Sequence, residues 1–226
     1  MNQVRLATFN VHHCEGRDGV IDVGRVGAVI SSVDADLVAV QELDRHLPRS
    51  HRLDQPAELA RATGLEVSFY PTLARFGGEY GMALVAPEPV AAIVEQLPRV
   101  GTEEPRAALV ATWGGLSVIA THLSTDRTAR RLQTEHLGWL AARRRGNPNS
   151  VLGGAIPPVV IVGDLNQTRW GLGPFTRRGF TPVRAGPWWI RQIDHVVIGP
   201  GVRSARSERR RTDASDHPIV VVDLLF

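Results

Sequence analysis

The sequence contains no lysine and a single cysteine, Cys14. With one thiol, no intramolecular disulfide can form, and a zinc cluster held by several cysteines is excluded. Any metal ion bound by this chain must therefore be held by oxygen atoms or imidazole nitrogens. The His-Glu-x-x-His motif is absent as well, which argues against a zinc hydrolase of that type.

Long apolar segments are also missing. The N-terminal residues contain no apolar run of the signal-peptide kind, and no later run approaches the length that spans a bilayer. We therefore expect no membrane span and a cytoplasmic location. The content of 43% hydrophobic and 22% charged residues is that of an ordinary globular protein, which excludes a disordered chain.

The charge balance is mildly basic, with a formal net charge of +3, and all 26 basic residues of the Lys+Arg total are arginines. Two short clusters, Arg143–Arg145 and Arg209–Arg211, offer guanidinium groups that suit two-point contacts with phosphate. Solvated surface is the favoured interpretation of both clusters. Charge alone therefore indicates an anionic ligand only weakly.

Apolar, β-branched runs bounded by turn residues recur along the whole chain and predict strands. Three longer segments have the apolar periodicity of helices. The helical segments cluster in three places while many strands follow one another directly, which does not fit a strictly alternating parallel sheet. We predict one α/β domain over residues 1–226, a four-layered α/β sandwich in which two mainly antiparallel sheets pack face to face with helices outside. The predicted strands are Val4–Phe9, Leu37–Gln41, Val67–Tyr70, Met82–Ala86, Ala107–Trp113, Ser117–Thr121, Val159–Val162, Ile193–Ile198 and Ile219–Leu225, and the predicted helices are Val23–Val33, Gln55–Thr63 and Arg127–Arg145.

Two further segments have a distinct composition. Gly146–Pro158 is rich in Gly, Asn and Pro and predicts a surface loop. Trp188 and Trp189 precede the Ile193 strand. Their side chains either stack on a base or lipid headgroup, or are buried against the sandwich. Burial is the favoured interpretation of this pair.

Polar residues follow the predicted strands at their C-terminal ends or in the loop just after, where a side chain leaves the core and is still held rigidly, and Asp194 opens a further strand. Each one alone is typical of a solvated turn or an Asx-turn. The set comprises Asn10, Glu42, His122, Asp164, Asn166, Asp194, Asp216 and His217.

In this order and at these separations, the residues resemble the endonuclease/exonuclease/phosphatase family, whose members include deoxyribonucleases, sphingomyelinases and inositol-phosphate phosphatases. The resemblance covers essentially the whole chain. One departure is Met82, where many relatives have asparagine. Further segments that carry the resemblance are Thr8–Gly19 with Asp22, Arg49-Ser50 with Asp54-Gln55, Gly78–Leu84 and Glu104-Pro105-Arg106.

The resemblance implies a hydrolase with a divalent metal ion. Glu42 is the expected direct ligand, and Asn10 and Asp216 complete the metal site directly or through water. A carboxylate and several waters suit Mg²⁺, with Mn²⁺ as the alternative. We expect an enzyme that acts on a phosphate ester, nucleic acid included, as a monomer without an obligate protein partner.

The catalytic roles also follow from the resemblance. His217 and Asp194 form a pair that orients and deprotonates the attacking water. Asp164 and Asn166 lie across the phosphate, where Asn166 donates to a non-bridging oxygen and Asp164 positions or activates the nucleophile, so the identity of the general base is left open. His122 binds the phosphate or protonates the leaving oxygen. Glu79 is expected to support His122. Tyr80 and Arg106 either contribute to the rim of the site or have structural roles, with Tyr80 packed at a strand start and Arg106 covering a sheet edge.

The substrate is open because the same catalytic set serves several substrates. The short chain lacks a lysine-rich tail, long inserted loops and an apolar hairpin. We therefore predict phosphodiester hydrolysis, of nucleic acid or a small diester. The alternatives are a phosphomonoesterase on a sugar or inositol phosphate, a phospholipid headgroup phosphodiesterase, and, least favoured, an inactive binding protein of the same fold.

Overall fold

Twelve strands form two sheets in the computed structural model, which describes residues 2–146, 157–187 and 191–226. In chain order, the strands are β1 (Gln3–Asn10), β2 (Leu37–Arg45), β3 (Glu66–Arg75), β4 (Gly78–Ala86), β5 (Ala92–Gln96), β6 (Ala107–Trp113), β7 (Leu116–His122), β8 (Val159–Asp164), β9 (Thr181–Pro182), β10 (Asp194–Ile198), β11 (Arg203–Arg210) and β12 (Ile219–Leu225). Sheet 1 has the order β11-β12-β1-β2-β4-β3. Sheet 2 has the order β5-β6-β7-β8-β10-β9.

Each sheet has one parallel pair at its centre. The β1–β2 and β7–β8 pairs are parallel, whereas the remaining pairs of neighbouring strands are antiparallel. Parallel neighbours bring their C-terminal ends to the same edge of a sheet. Polar residues that follow these four strands are therefore gathered at two edges, one in each sheet.

The helices are α1 (Val23–Ser31), α2 (Gln55–Thr63), α3 (Arg127–Gly146) and α4 (Gly173–Thr176). Asp22 and Asp54 cap α1 and α2 because each carboxylate accepts a backbone N–H of the first turn. Gly64 ends α2 in the left-handed conformation, with φ of 69°. None of the helices that the structure describes is long and apolar enough to cross a membrane.

Alternation along the strands divides the core into three parts. On β1, Leu6 packs between the two sheets, whereas Ala7 and Phe9 face the layer of α1 and α2. Leu137 of α3 and Phe175 of α4 pack on the outer face of sheet 2. The result is a helix–sheet–sheet–helix sandwich, which confirms the predicted fold class.

Several elements lie outside the predicted set. The strands β5, β9 and β11 and the one-turn helix α4 were not predicted. The β11 segment, Arg-Ser-Ala-Arg-Ser-Glu-Arg-Arg, has no apolar alternation because it forms an edge strand of sheet 1. The Trp188–Trp189 pair and most of the Gly146–Pro158 loop lie outside the described residues.

Candidate active site

Four polar side chains come from the central parallel strands. Asn10 ends β1, His122 ends β7 and Asp164 ends β8, while Glu42 lies within β2 beside the residue paired with Asn10. In sheet 2, His122 pairs with Asp164, and Asp164 pairs with Asp194. The Asn10 amide donates to Asp164 at 3.1 Å, so the two strand edges meet across the sandwich.

Glu42 reaches this centre through a β-bulge. Gln41 pairs with Met82 and Leu43 with Gly81, which leaves Glu42 without a partner on β4. Its φ of 66° is a left-handed conformation that a glutamate seldom adopts. Bulges re-aim side chains, and such strain is retained mainly at functional sites. The Glu42 Oε1 atom accepts the Asn10 amide at 2.8 Å.

Asn10 holds both carboxylates through one nitrogen. Its Nδ2 donates to Glu42 and to Asp164, while its Oδ1 accepts the backbone N–H of His12 at 3.0 Å. The chain turns sharply here, with φ of 48°, 43° and 60° at residues 12–14. The sequence carries no signal for the part played by His12 because a backbone N–H is available from nearly any residue.

His217 and Asp194 form a close pair. The His217 Nδ1 atom lies 2.9 Å and 3.1 Å from the two Asp194 carboxylate oxygens, and Nε2 lies 3.8 Å from Asp164 Oδ2. Burial alone would lower the pKa of His217, but the Asp194 hydrogen bond and the charges of Asp194, Asp164 and Asp216 raise this pKa to about 9. The distance of 2.9 Å between Asp194 Oδ1 and His217 Nδ1 is within hydrogen-bond reach, as an Asp194–His217 pair requires.

The Ser215 hydroxyl fixes the turn that carries His217. It donates to the Asn10 carbonyl at 2.8 Å and accepts the His217 backbone N–H at 3.1 Å. The loop before β12 is thereby attached to the end of β1.

Asp164 is almost completely buried, with 1% of its surface exposed. Burial, followed by the nearby Asp194 charge, raises its pKa to about 7, against the opposing effects of His217, the Asn166 backbone N–H and the Asn10 amide. Asn166 donates its backbone N–H to Asp164 at 2.8 Å and its side-chain amide to the Leu123 carbonyl at 2.9 Å. The Asx-turn expected of Gly-Asp-Leu-Asn is therefore present, and it lies inside the site.

His122 lies between the Arg106 cation and the Tyr80 hydroxyl on one side and two carboxylates on the other. Its Nδ1 lies 2.9 Å from Arg106 Nη1 and 3.5 Å from the Tyr80 hydroxyl, and its Nε2 lies 3.6 Å from Asp164 and 3.8 Å from Glu42. A guanidinium can only donate, so Nδ1 accepts and the proton resides on Nε2. Burial and the Arg106 charge lower the pKa of His122 well below its usual value, which keeps the ring neutral.

The expectation that Glu79 supports His122 is wrong. The Glu79 carboxylate accepts Arg45 Nε at 2.6 Å, and Arg45 is its partner in the β2–β4 ladder. Glu79 and Tyr80 are consecutive in β4, so their side chains project from opposite faces of the sheet. Tyr80 and Arg106 occupy the position that Glu79 was expected to fill.

Asp216 lies at the rim of the site. Its side chain is 61% exposed, and Oδ1 lies 4.0 Å from His12 Nδ1. It lines a small cavity together with His217 and three arginines. The structure thus separates Asp216 from the buried cluster of carboxylates.

The buried side chains fit a divalent cation. Asp164, Asp194 and His217 each offer a ligand atom within 4.8 Å of the others, and Asn10 links Glu42 to Asp164. The Asp194 carboxylate is already hydrogen-bonded to His217 Nδ1. The carboxylates that can hold a cation are therefore those of Glu42 and Asp164. Hard divalent cations prefer such oxygen ligands.

The family model described as Endonuclease/Exonuclease/phosphatase family matches residues 7–217. No curated protein sequence matches the chain. Similar solved structures include an endonuclease/exonuclease/phosphatase from Beutenbergia cavernae, with 22% identity, TM-score 0.75 and coverage of 99% of this chain and 72% of that chain.

Two similar structures have more specific names. A mannosyl-6-phosphatase from Bacteroides thetaiotaomicron has 15% identity, TM-score 0.74 and coverage of 99% of this chain and 100% of that chain. The human Nocturnin catalytic domain, with a bound sulfate anion, has 15% identity, TM-score 0.73 and coverage of 100% and 94%. At these identities the similarity shows the fold alone.

Proposed function

This chain belongs to the endonuclease/exonuclease/phosphatase family, as predicted, and we propose that it is a divalent-metal-dependent hydrolase that cleaves a phosphodiester bond with an activated water molecule. The observation that carries the proposal is the meeting of Asn10, Glu42 and Asp164 beside the Asp194–His217 pair and His122. Acids, a paired imidazole and a neutral imidazole are the groups that such a hydrolysis requires.

We propose that Glu42 and Asp164 hold the cation, Mg²⁺ or alternatively Mn²⁺, and that Asn10 orients both carboxylates toward it. When bound, the cation neutralises phosphate charge and lowers the barrier to nucleophilic attack. We propose that the exposed Asp216 contributes through a water molecule. Burial of Asp164 beside Asp194 concentrates negative charge, which supports a cation at this position.

A bound cation would oppose the carboxylate charges that raise the pKa of His217 to about 9, and we assign the acceptance of the water proton to the Asp194–His217 pair in that state, with Nε2 unprotonated. Asp194 holds the Nδ1 side of the ring, so Nε2 is the atom directed at the centre, 3.8 Å from Asp164. A carboxylate bonded to imidazole fixes its orientation and increases its affinity for a proton. Asp164 orients the water from the opposite side.

His122 and Asn166 bind the phosphate in this proposal. Because His122 is neutral with its proton on Nε2, it donates a hydrogen bond to a phosphate oxygen. This assignment favours phosphate binding over protonation of the leaving oxygen, the two roles expected for this residue. One N–H of the Asn166 amide holds the Leu123 carbonyl, and the other is available for a second phosphate oxygen.

The test is hydrolysis of phosphodiesters and phosphomonoesters with Mg²⁺, with Mn²⁺ and with EDTA. We expect diester hydrolysis that EDTA abolishes. Glu42→Gln should lower turnover about a hundredfold or more and weaken metal binding, because one ligand charge is lost.

Glu88→Gln is the matched control because Glu88 is exposed in the loop after β4. It should leave both turnover and metal binding unchanged. Normal metal titration of Glu42→Gln would remove Glu42 from the metal site.

A phosphomonoesterase is the second candidate. The solved mannosyl-6-phosphatase has the same fold over its full length, and its name supports a phosphate monoester as an alternative substrate. Preferential release of phosphate from sugar or inositol phosphates would select this activity, and cleavage of phospholipid headgroups would select the third candidate. Metal binding without hydrolysis of any ester would favour the inactive binding protein.

A further inference from the structure

A groove of about 450 Å³ lies beside the candidate active site and is lined by five arginines and one acidic residue. Three of the arginines, Arg127, Arg130 and Arg131, project from the first turns of α3 at spacings that share one helix face. Arg177 follows α4 on the opposite wall, and Arg191 precedes β10. The acid is Glu135.

The positive charge of this groove is mostly uncompensated. Glu135 pairs with Arg177 at 2.6 Å and with Arg178 at 3.1 Å. Arg130 donates to the backbone carbonyls of Ser124 and Thr125, at 3.0 Å and 2.6 Å. Within the described part of the chain, the guanidinium groups of Arg127, Arg131 and Arg191 form no hydrogen bond or ion pair.

The attraction for anions comes from these side chains and not from the helix terminus. Asp126 caps α3 by accepting the backbone N–H groups of Thr128 and Ala129, at 2.9 Å and 2.8 Å. Two donors of the first turn are therefore already used by a carboxylate. Guanidinium groups remain as the available partners, and their planar donors match phosphate oxygens.

Asn166 connects the groove to the catalytic centre. It lines the groove and also donates its backbone N–H to Asp164. A phosphate bound at Asn166 would thus extend the rest of the substrate toward Arg127 and Arg131. The groove has room for a nucleoside or sugar together with the phosphate that it bears.

We propose that the arginine groove binds a second phosphate group of the substrate, so that the preferred substrate carries at least one phosphate besides the one that is cleaved. The inference rests on the proposed hydrolase function, because it extends the same site. The second phosphate can belong to a nucleotide strand or to a small molecule with two phosphates.

The experiment measures inhibition of bis(p-nitrophenyl) phosphate hydrolysis with Mg²⁺ present. One inhibitor pair is a thymidine dinucleotide with and without terminal phosphates at both ends. The other is a hexose bisphosphate and the matching hexose monophosphate. We expect about tenfold tighter inhibition by the more phosphorylated member of the relevant pair, as charge-assisted hydrogen bonds provide, and the pair that shows it identifies the source.

The test variant is Arg127→Gln with Arg131→Gln. Both side chains are exposed, so the double variant should fold, which circular dichroism and Tm verify. We expect the preference for the additional phosphate to fall from about tenfold to about twofold or less. An unchanged preference would overturn the proposal.

Two controls separate a specific subsite from general attraction. Arg61→Gln removes a charge from exposed α2, and Arg17→Gln with Arg211→Gln removes two charges from the cavity beside His217. Both should retain the preference. If the Arg17 and Arg211 variant loses the phosphate preference to the same extent, the preference reflects general electrostatic attraction. If only that variant loses the preference, the subsite lies in the cavity beside His217. Either result overturns the proposal.

Failure of the proposed function is distinguishable. If the protein hydrolyses no phosphate ester, the proposed function is contradicted. The groove is then tested separately, by the rise in Tm that inorganic pyrophosphate causes. The native protein should show a rise that Arg127→Gln with Arg131→Gln reduces by half or more. An equal rise in both proteins would overturn the groove as an anion site.

Discussion

At His122 the two ring nitrogens face partners of opposite charge. Arg106 lies against Nδ1, and the carboxylates of Asp164 and Glu42 lie on the Nε2 side. His217 is arranged in reverse, because Asp194 accepts from its Nδ1. The two histidines of one centre thus differ in charge and in whether Nδ1 accepts or donates a hydrogen bond, which permits different roles for the same side chain.

This difference predicts a nitrogen-15 NMR pattern for histidine-labelled protein near neutral pH in the absence of a divalent cation. His122 should show an unprotonated Nδ1 and a protonated Nε2, whereas His217, with its pKa raised to about 9, should show both nitrogens protonated. The variants His122→Gln and His217→Gln assign the signals. Arg106→Met should populate the Nδ1–H tautomer of His122, because the donor that excludes it is removed.

A His122 ring that is protonated on both nitrogens near neutral pH would contradict this assignment. Arg143→Met is the control, because Arg143 stacks on Trp139 of α3, away from His122. It should leave the His122 signals unchanged.

Single residues differ in how far the sequence predicts them. Asp194 and His217 were predicted as a pair through the family resemblance, and the structure brings them within hydrogen-bond distance. Arg127 and Arg131 were not singled out, because exposed arginines on a helix are common and their groove needs α4 and Asn166 to complete it. Residue type is visible in a sequence, whereas convergence of distant residues is not.

At the scale of elements, the site depends on the close approach of β7 and β8. Gly163 has φ of 151°, and a Cβ atom there would lie 1.9 Å from the Thr121 carbonyl oxygen. Thr121 and Gly163 are partners in the parallel ladder. The backbone contact also sets the position of Asp164, the next residue.

Gly163→Ala should therefore destabilise the protein by about 3 kcal/mol or more and lower activity, because either the strands separate or Asp164 moves. Gly101→Ala is the control, since Gly101 also has positive φ, 57°, but nothing lies within 4 Å of its added Cβ. That change should cost about 1 kcal/mol. Urea unfolding of both variants measures the difference, and equal costs would show that the close approach is unimportant.

Element prediction failed where the local pattern was absent. The edge strand β11 is polar along its length, and nothing in its residues indicates a strand. Glu79 failed for another reason: alternation in β4 directs it away from the side that Tyr80 faces. The strand itself was predicted from Met82 but begins at Gly78, so the faces of its first residues were not known.

At the scale of the whole molecule, the candidate site belongs to neither sheet alone. Asn10 and Glu42 come from sheet 1, and His122, Asp164 and Asp194 come from sheet 2. The bond from Asn10 to Asp164 therefore exists only when the two sheets are packed together. Correct assembly of the sandwich is a condition for the catalytic arrangement.

A buried histidine outside the site makes the stability of this sandwich depend on pH. His195 of β10 is 2% exposed, and its Nε2 lies 2.9 Å from the Gln167 carbonyl oxygen. Its Nδ1 is buried as well. Burial lowers the pKa of His195 below 6.5, against the opposing effects of the Gln167 hydrogen bond, the Asp194 charge and a hydrogen bond with the Gln192 backbone.

The sign of the effect follows from this lowered pKa. Below about pH 6.5 the unfolded chain takes up a proton at His195 that the folded protein does not, so this contribution to stability is full above pH 6.5 and is lost as the pH falls. His195→Gln retains an N–H near Gln167 and cannot titrate. We expect it to be less stable than the native protein at about pH 7.5, and the gap to narrow by up to about 2 kcal/mol at about pH 5. Urea unfolding at both pH values measures this difference in stability, and the exposed His51→Gln serves as control. Parallel profiles of stability against pH for the native protein and His195→Gln would contradict the prediction.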